Sequence, residues 1–130
     1  MKSDTEEKYL QQVNRVIDYI NSHLNEPLRV ETLAREVCLS EYHFHRIMRA
    51  YLHEPLATYI ARQRVERAVM YLQMKNIHLA QVAEMVGYET PQSLSKAFKQ
   101  FFGISPTAYR KRRAEPVSYT HLRAHETAAN

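Results

Sequence analysis

Two stretches of this chain repeat one another, and that repetition limits the fold more than any other feature. VETLAREVCLSEYHFHRIMRAYL and LAQVAEMVGYETPQSLSKAFKQFF align at an offset of 49–50 residues. Val30, Ala34 and Val37 fall on Leu79, Ala83 and Val86. One extra residue in the second turn then shifts the register. Beyond it Phe44, Ile47, Met48 and Tyr51 fall on Leu94, Ala97, Phe98 and Phe101, and Tyr59 falls on Tyr109. Apolar residues three and four apart make one stripe on a helix. Each copy therefore reads as a short helix, a tight turn and a longer helix, with a small residue, Ala34 or Ala83, where the two helices must approach closely. That is the helix-turn-helix pattern.

The rest of the chain is helical between clear stops. Leu10, Val13, Ile17, Ile20 and Leu24 predict a helix from about Tyr9 to Leu24, ended by Asn25-Glu26-Pro27. Ser40 is a good N-cap, with Glu41 in the first turn where the helix dipole favours an acid. His53-Glu54-Pro55 stops that helix. A linker helix of nearly twenty residues follows from Leu56 to about Met74, ended by Lys75-Asn76. Gly87 is a natural left-handed stop, Thr90-Pro91 a cap with proline at the first helical position, and Gly103 a second stop. Ser105-Pro106 starts a last short helix carrying Tyr109. The expectation is an all-α fold of seven helices with no convincing strand. Its two helix-turn-helix subdomains, about 9–54 and 77–113, are joined by the linker helix at about 56–74.

Composition agrees with that reading. Only two glycines occur in 130 residues. This argues against Gly-rich phosphate loops and hairpin-rich β folds. The single cysteine, Cys38, rules out an internal disulfide framework and a multi-Cys zinc site. No apolar run approaches the ~20 residues of a membrane span, and the N-terminus is too polar for a signal peptide. A cytoplasmic chain is expected.

The net charge of +4 is unevenly spread. Residues 28–113 carry 14 basic and 7 acidic side chains, while residues 1–27 carry 3 and 5. A basic middle suggests a polyanionic partner. A solvated helical surface is the plainer explanation of charge alone.

The stretch AEMVGYETPQSLSKAFKQFFGISPTAYR closely resembles the C-terminal signature of the AraC/XylS class of bacterial transcription regulators. The matching residues are Ala83, Gly87, Tyr88, Phe98, Lys99, Phe102, Gly103, Ser105, Pro106, Tyr109 and Arg110. Arg64-Val65-Glu66 with Ala68 resembles the family's linker run. The likeness covers about residues 9–113. Cys38 stands where many relatives carry glycine, and Leu94 where many carry phenylalanine. As apolar substitutions, both are expected to affect packing only. The resemblance implies binding of double-stranded DNA at adjacent major-groove segments and usually recruitment of RNA polymerase. Many relatives whose DNA-binding domain is N-terminal continue into an effector-binding domain of the GyrI-like type, while others are stand-alone DNA-binding domains; a missing effector domain is in keeping with the first kind.

Residue chemistry points the same way. Tyr42, His45, Arg46 and Arg49 lie at i, i+3, i+4 and i+7, opposite the Phe44, Ile47, Met48, Tyr51 face. Arginine can pair bidentately with guanine, glutamine with adenine, and lysine suits guanine or phosphate. By resemblance to the family's reading positions, Tyr42, His45 and Arg46 face bases, and Gln92, Ser93 and Lys96 hold the corresponding places in the second copy. Ser93 has a plainer role open to it, stabilising its own helix. Phosphate contacts are expected from Arg49, Lys99 and the backbone amides after Ser40 and Thr90. The basic run Arg110 to Arg113 completes the basic region. Two recognition helices on a rigid linker suit a monomer reading sites roughly 34 Å apart.

An enzyme is the first rival. His43 and His45 point to different sides of a helix, and no HExxH, Gly-rich loop or nucleophile motif occurs. No catalytic residue, metal site or cofactor is expected. Two rivals remain, a basic interaction module that does not read sequence and a truncated regulator that binds DNA without regulating. Cys38 reads as a small apolar turn residue rather than a redox sensor. Residues 114–130 depart from the family, and 117–130 within them (VSYTHLRAHETAAN) resemble translated cloning sequence, a disordered native tail being the alternative.

Overall fold

The structure, a computed structural model, describes residues 3–114. Seven helices occur in that range: α1 Asp4–Ser22, α2 Val30–Glu36, α3 Glu41–Leu52, α4 Leu56–Leu72, α5 Leu79–Met85, α6 Pro91–Phe102 and α7 Pro106–Ala114. No strand occurs among the described residues. The expectations for residues 115–130 lie outside them, and α7 carries Ala114, one residue past the expected end of the domain.

Two apolar cores form, one in each half. Val13, Val16, Ile20 and Leu24 of the first helix and its exit pack with Leu33, Ala34, Phe44, Ile47, Met48 and Leu56. Val65, Ala68 and Leu72 of α4 pack with Val82, Ala83, Val86, Leu94 and Phe98. Burying each large side chain contributes roughly 1.5–3 kcal/mol. The repeat persists inside the cores with one exchange. The first copy puts its ring at Phe44 with Met48 one turn later, and the second puts Leu94 first and the ring at Phe98. All four are buried, so Leu94 in place of a phenylalanine is balanced one turn along the same helix. The helix α4 belongs to both halves, giving Leu56 to the first core and Val65, Ala68 and Leu72 to the second.

The two turns share one backbone design. Leu39 N–H donates to the Ala34 carbonyl at 3.0 Å and Tyr88 N–H to the Ala83 carbonyl at 2.8 Å. Cys38 N–H donates to Arg35, and Gly87 N–H to Glu84. These are paired Schellman closures, which need a left-handed residue between the two donors' helix and the exit. Gly87 has φ +98° and Cys38 has φ +58°. The expectation that Cys38 matters only for packing is therefore corrected: its side chain is exposed, and the departure from glycine lies in backbone conformation. His53 (φ +62°) and Gly103 (φ +77°) are likewise equivalent left-handed ends of α3 and α6.

The first helix starts earlier than the apolar stripe predicts. Ser3 Oγ accepts from Glu6 N–H, and Asp4, Glu6 and Glu7 occupy the first turn, so capping and dipole chemistry extend the helix beyond its buried face. Its regular part ends at Ser22, and Leu24 is buried in the turn that follows. Arg110 also differs from expectation. Its Nε and one Nη donate to the Leu72 and Ile77 carbonyls, at 3.3 and 2.8 Å. It ties α7 to the end of α4 rather than extending the basic surface, while Lys111, Arg112 and Arg113 are exposed.

Candidate nucleic-acid interface

The second helix of each pair, α3 or α6, hides one face and exposes the other. On α3, Phe44, Ile47 and Met48 are buried, and Tyr42, His45, Arg46 and Arg49 are exposed. On α6, Leu94 and Phe98 are buried, and Gln92, Ser93, Lys96 and Lys99 are exposed. Repetition of the apolar stripe thus brings each predicted polar set together on one helix face.

Local contacts orient these groups. Tyr42 is 71% exposed, and the Arg46 guanidinium lies 5.7 Å from its ring centroid. The ring keeps that arginine's planar fork close to the helix, in an arrangement able to meet two acceptors at once. His45 turns outward against the edge of Phe44. By contrast, His43 turns toward α1, its Nε2 lying 3.5 Å from the Tyr9 hydroxyl. The two histidines therefore diverge, as their spacing predicts.

Both helices open on a side-chain cap. Ser40 Oγ accepts from His43 N–H at 3.2 Å. Thr90 Oγ1 accepts from Ser93 N–H at 3.0 Å and donates to Ser93 Oγ at 2.9 Å. The Ser93 hydroxyl is thus already part of its own helix cap. The start of α6 carries no acid in its first turn, so its partial positive charge is not offset there.

Among the described residues the cations of the two faces form no ion pair; the pair found there is Arg62 with Glu54, neither of which belongs to the polar face of α3 or α6. Arg46, Arg49, Lys96 and Lys99 thus keep their charge available to an anionic partner. Among the described residues no cluster of three or more His, Cys, Asp or Glu side chains could hold a metal ion. Nor is any helix there long and apolar enough to cross a membrane.

Sequence reasoning missed the roles of two linker arginines. Arg62 forms a bidentate pair with Glu54, which holds that carboxyl below the usual carboxylate range. Arg64 donates to the Glu26 carbonyl at 3.1 Å and lies over Tyr88, 5.6 Å from the ring centroid. Burial pushes the Tyr88 phenol up, with the Arg64 charge acting the other way. The signal available was Arg64 in the linker run. Its partners, far apart in sequence, were not readable from it.

Comparison with known proteins places this geometry. A family model described as "Helix-turn-helix domain" (HTH_18) matches residues 33–112. The transcriptional activator AarP of Providencia stuartii is 30% identical over 98 residues, covering 75% of this chain and 73% of AarP. The Msm operon regulatory protein of Streptococcus mutans is 32% identical over 99 residues, covering 76% of this chain and 36% of that protein. The DNA-binding domain of the global transcriptional factor AdpA, solved in complex with a target DNA, superposes with a TM-score of 0.74. It is 30% identical, with 82% of this chain and 97% of that chain covered. The chain spans 33–47% of the length of four of the curated relatives it matches. With both helix pairs, their turns and the linker matched, the chain belongs to the helix-turn-helix family of AraC-type DNA-binding domains.

Proposed function

We propose that this chain binds double-stranded DNA sequence-specifically in transcription regulation, and that it is not an enzyme. The observation that carries the reading is the duplication itself: two equivalent helix pairs, each exposing one polar, cationic helix face behind the same left-handed turn. The DNA complex of the AdpA domain supports it.

In this reading α3 and α6 enter successive major-groove segments. Arg46 reads a guanine through its bidentate fork, with Tyr42 and His45 beside it. Gln92 and Lys96 read the second segment, and Ser93 serves chiefly as part of the cap. Arg49, Lys99 and the amides after Ser40 and Thr90 hold phosphates and set register. The two unlike faces suit a monomer on an asymmetric site. The domain limits 9–113, a cytoplasmic location, contact with RNA polymerase and an effector-binding domain belong to the same proposal.

Selection of binding sites from random DNA by the purified full chain tests it. The expected product is an asymmetric site of two blocks about one helical turn apart, preferred over random DNA by roughly a thousandfold or more. Enrichment of no motif would favour the basic interaction module. Binding only to palindromes as a dimer would remove the monomeric arrangement.

A further inference from the structure

The two halves have separate cores that meet only through the shared helix α4, so the angle between α3 and α6 rests on that helix and on the side chains that span the halves beside it. A cleft of about 730 Å³ opens between them, lined by Leu28 of the first half, Ile60 of α4 and Glu84 of the second. Two arginines of α4 link the halves, Arg64 at this cleft and Arg62 on the other side of the helix. Arg64 donates to the Glu26 carbonyl of the first half and lies over the Tyr88 ring of the second. Arg62 pairs with Glu54 of the first half, and its guanidinium lies 5.7 Å from the ring centroid of Phe101 in the second. Residues two apart on a helix project from nearly opposite sides, so the bridges flank the linker. The turn at Gly87 closes the same contact, since a Cβ there would fall 2.0 Å from the Leu24 carbonyl oxygen.

We infer that Arg62 and Arg64 are paired struts that lock the two recognition helices at one angle, making them positioning residues for half-site spacing. A planar guanidinium suits this task because it can accept a ring on its face while donating from its edge. A lysine ammonium has no flat face and its donors rotate, so it holds the two partners in no fixed plane. The role in spacing rests on the proposed two-groove binding, whereas the locked angle is a property of the free protein.

The test uses the full chain and reads both. Nitroxide labels at the native, exposed Cys38 and at Gln100→Cys report the distance between the two units by pulsed electron resonance, without DNA. The parent should give one narrow distribution. The Arg62→Met/Arg64→Met chain should give one about twice as wide, at unchanged helix content. On the selected operator, moving one half-site by a single base pair rotates it by about 34°. That shift should cost the parent about tenfold in affinity and the double variant under about threefold. The ratio within each protein cancels any general loss of cationic charge. An unchanged width together with an unchanged spacing preference overturns the struts. A parent without spacing preference overturns the two-groove reading, and the distance distribution still decides the locked angle. If the double variant fails to fold, Arg64→Lys is read by the same two measurements, with the same expected broadening.

Discussion

Gly87 and Gly103 both hold left-handed backbone, yet they carry different constraints. A Cβ at Gly103 meets nothing within 4 Å, whereas one at Gly87 would meet the Leu24 carbonyl oxygen at 2.0 Å. Gly103→Ala should therefore cost about 0.5–1 kcal/mol, the left-handed penalty of about 1–2 kcal/mol less the unfolded-state freedom that glycine loses. Gly87→Ala should cost clearly more, because backbone must move as well. Urea unfolding of the two variants checks the order, and equal losses would remove the close approach at Gly87. The glycines were legible as helix stops from sequence. Cys38 and His53 do not signal left-handed backbone as glycine does, and the sign of it lay only in the repeat, which places them opposite Gly87 and Gly103. Relief of the left-handed cost is partly offset by about 0.4–1 kcal/mol from the greater freedom of glycine in the unfolded chain. Cys38→Gly should accordingly raise stability by about 0.5–1 kcal/mol, read as a higher urea midpoint at unchanged slope. At the exposed face, Arg46→Ala should cost about 1–3 kcal/mol on the selected operator and relax preference at one base position. Unchanged affinity would take Arg46 out of the reading set.

At the scale of elements, the helices were legible wherever an apolar stripe met a stop signal, and α3 and α6 were placed by their caps. The first turn of α1 escaped because its residues 4–8 have no buried face. It forms through Ser3 and an acidic first turn, local chemistry that periodicity does not register. The same capping chemistry operates at Ser40, whose hydroxyl accepts from His43 N–H. Ser40→Ala should cost about 1 kcal/mol of stability, and Ser40→Asp should retain most of it. A loss equal in both would point away from the cap. The joint between α3 and α4 is tied by Glu54 and Arg62, and the carboxyl there titrates below its usual range. A depressed folded value means that the stabilisation is present above the unfolded value and disappears as pH falls through the folded one. The Arg62→Met chain should thus show a smaller fall in urea midpoint between neutral and acid pH than the parent. An identical fall in both would show that this pair adds nothing to acid sensitivity.

The whole molecule is a duplicated unit on a shared helix, and the duplication is what made its architecture readable from one sequence. Its bridging was not readable, because Arg62 and Arg64 act on Glu54, Phe101, Glu26 and Tyr88, partners that only the folded chain assembles. The charge pattern has meaning at this scale as well. Each recognition face carries two exposed cations, Arg46 and Arg49 on one and Lys96 and Lys99 on the other. In the proposed reading each half meets phosphate independently while the frame holds their spacing. Lys99→Ala should weaken binding to all sequences about equally and flatten the salt dependence by about one unit of slope. Losses from the two faces should also combine simply. Arg46→Ala and Lys96→Ala sit in different halves with no shared partner, so their costs on the operator should add to within about 0.5 kcal/mol. If the frame were loose, losing one anchor would free that half, and the second substitution would act on a different bound state. A coupling well beyond that limit in a double-mutant cycle would mean that the halves do not stay docked together.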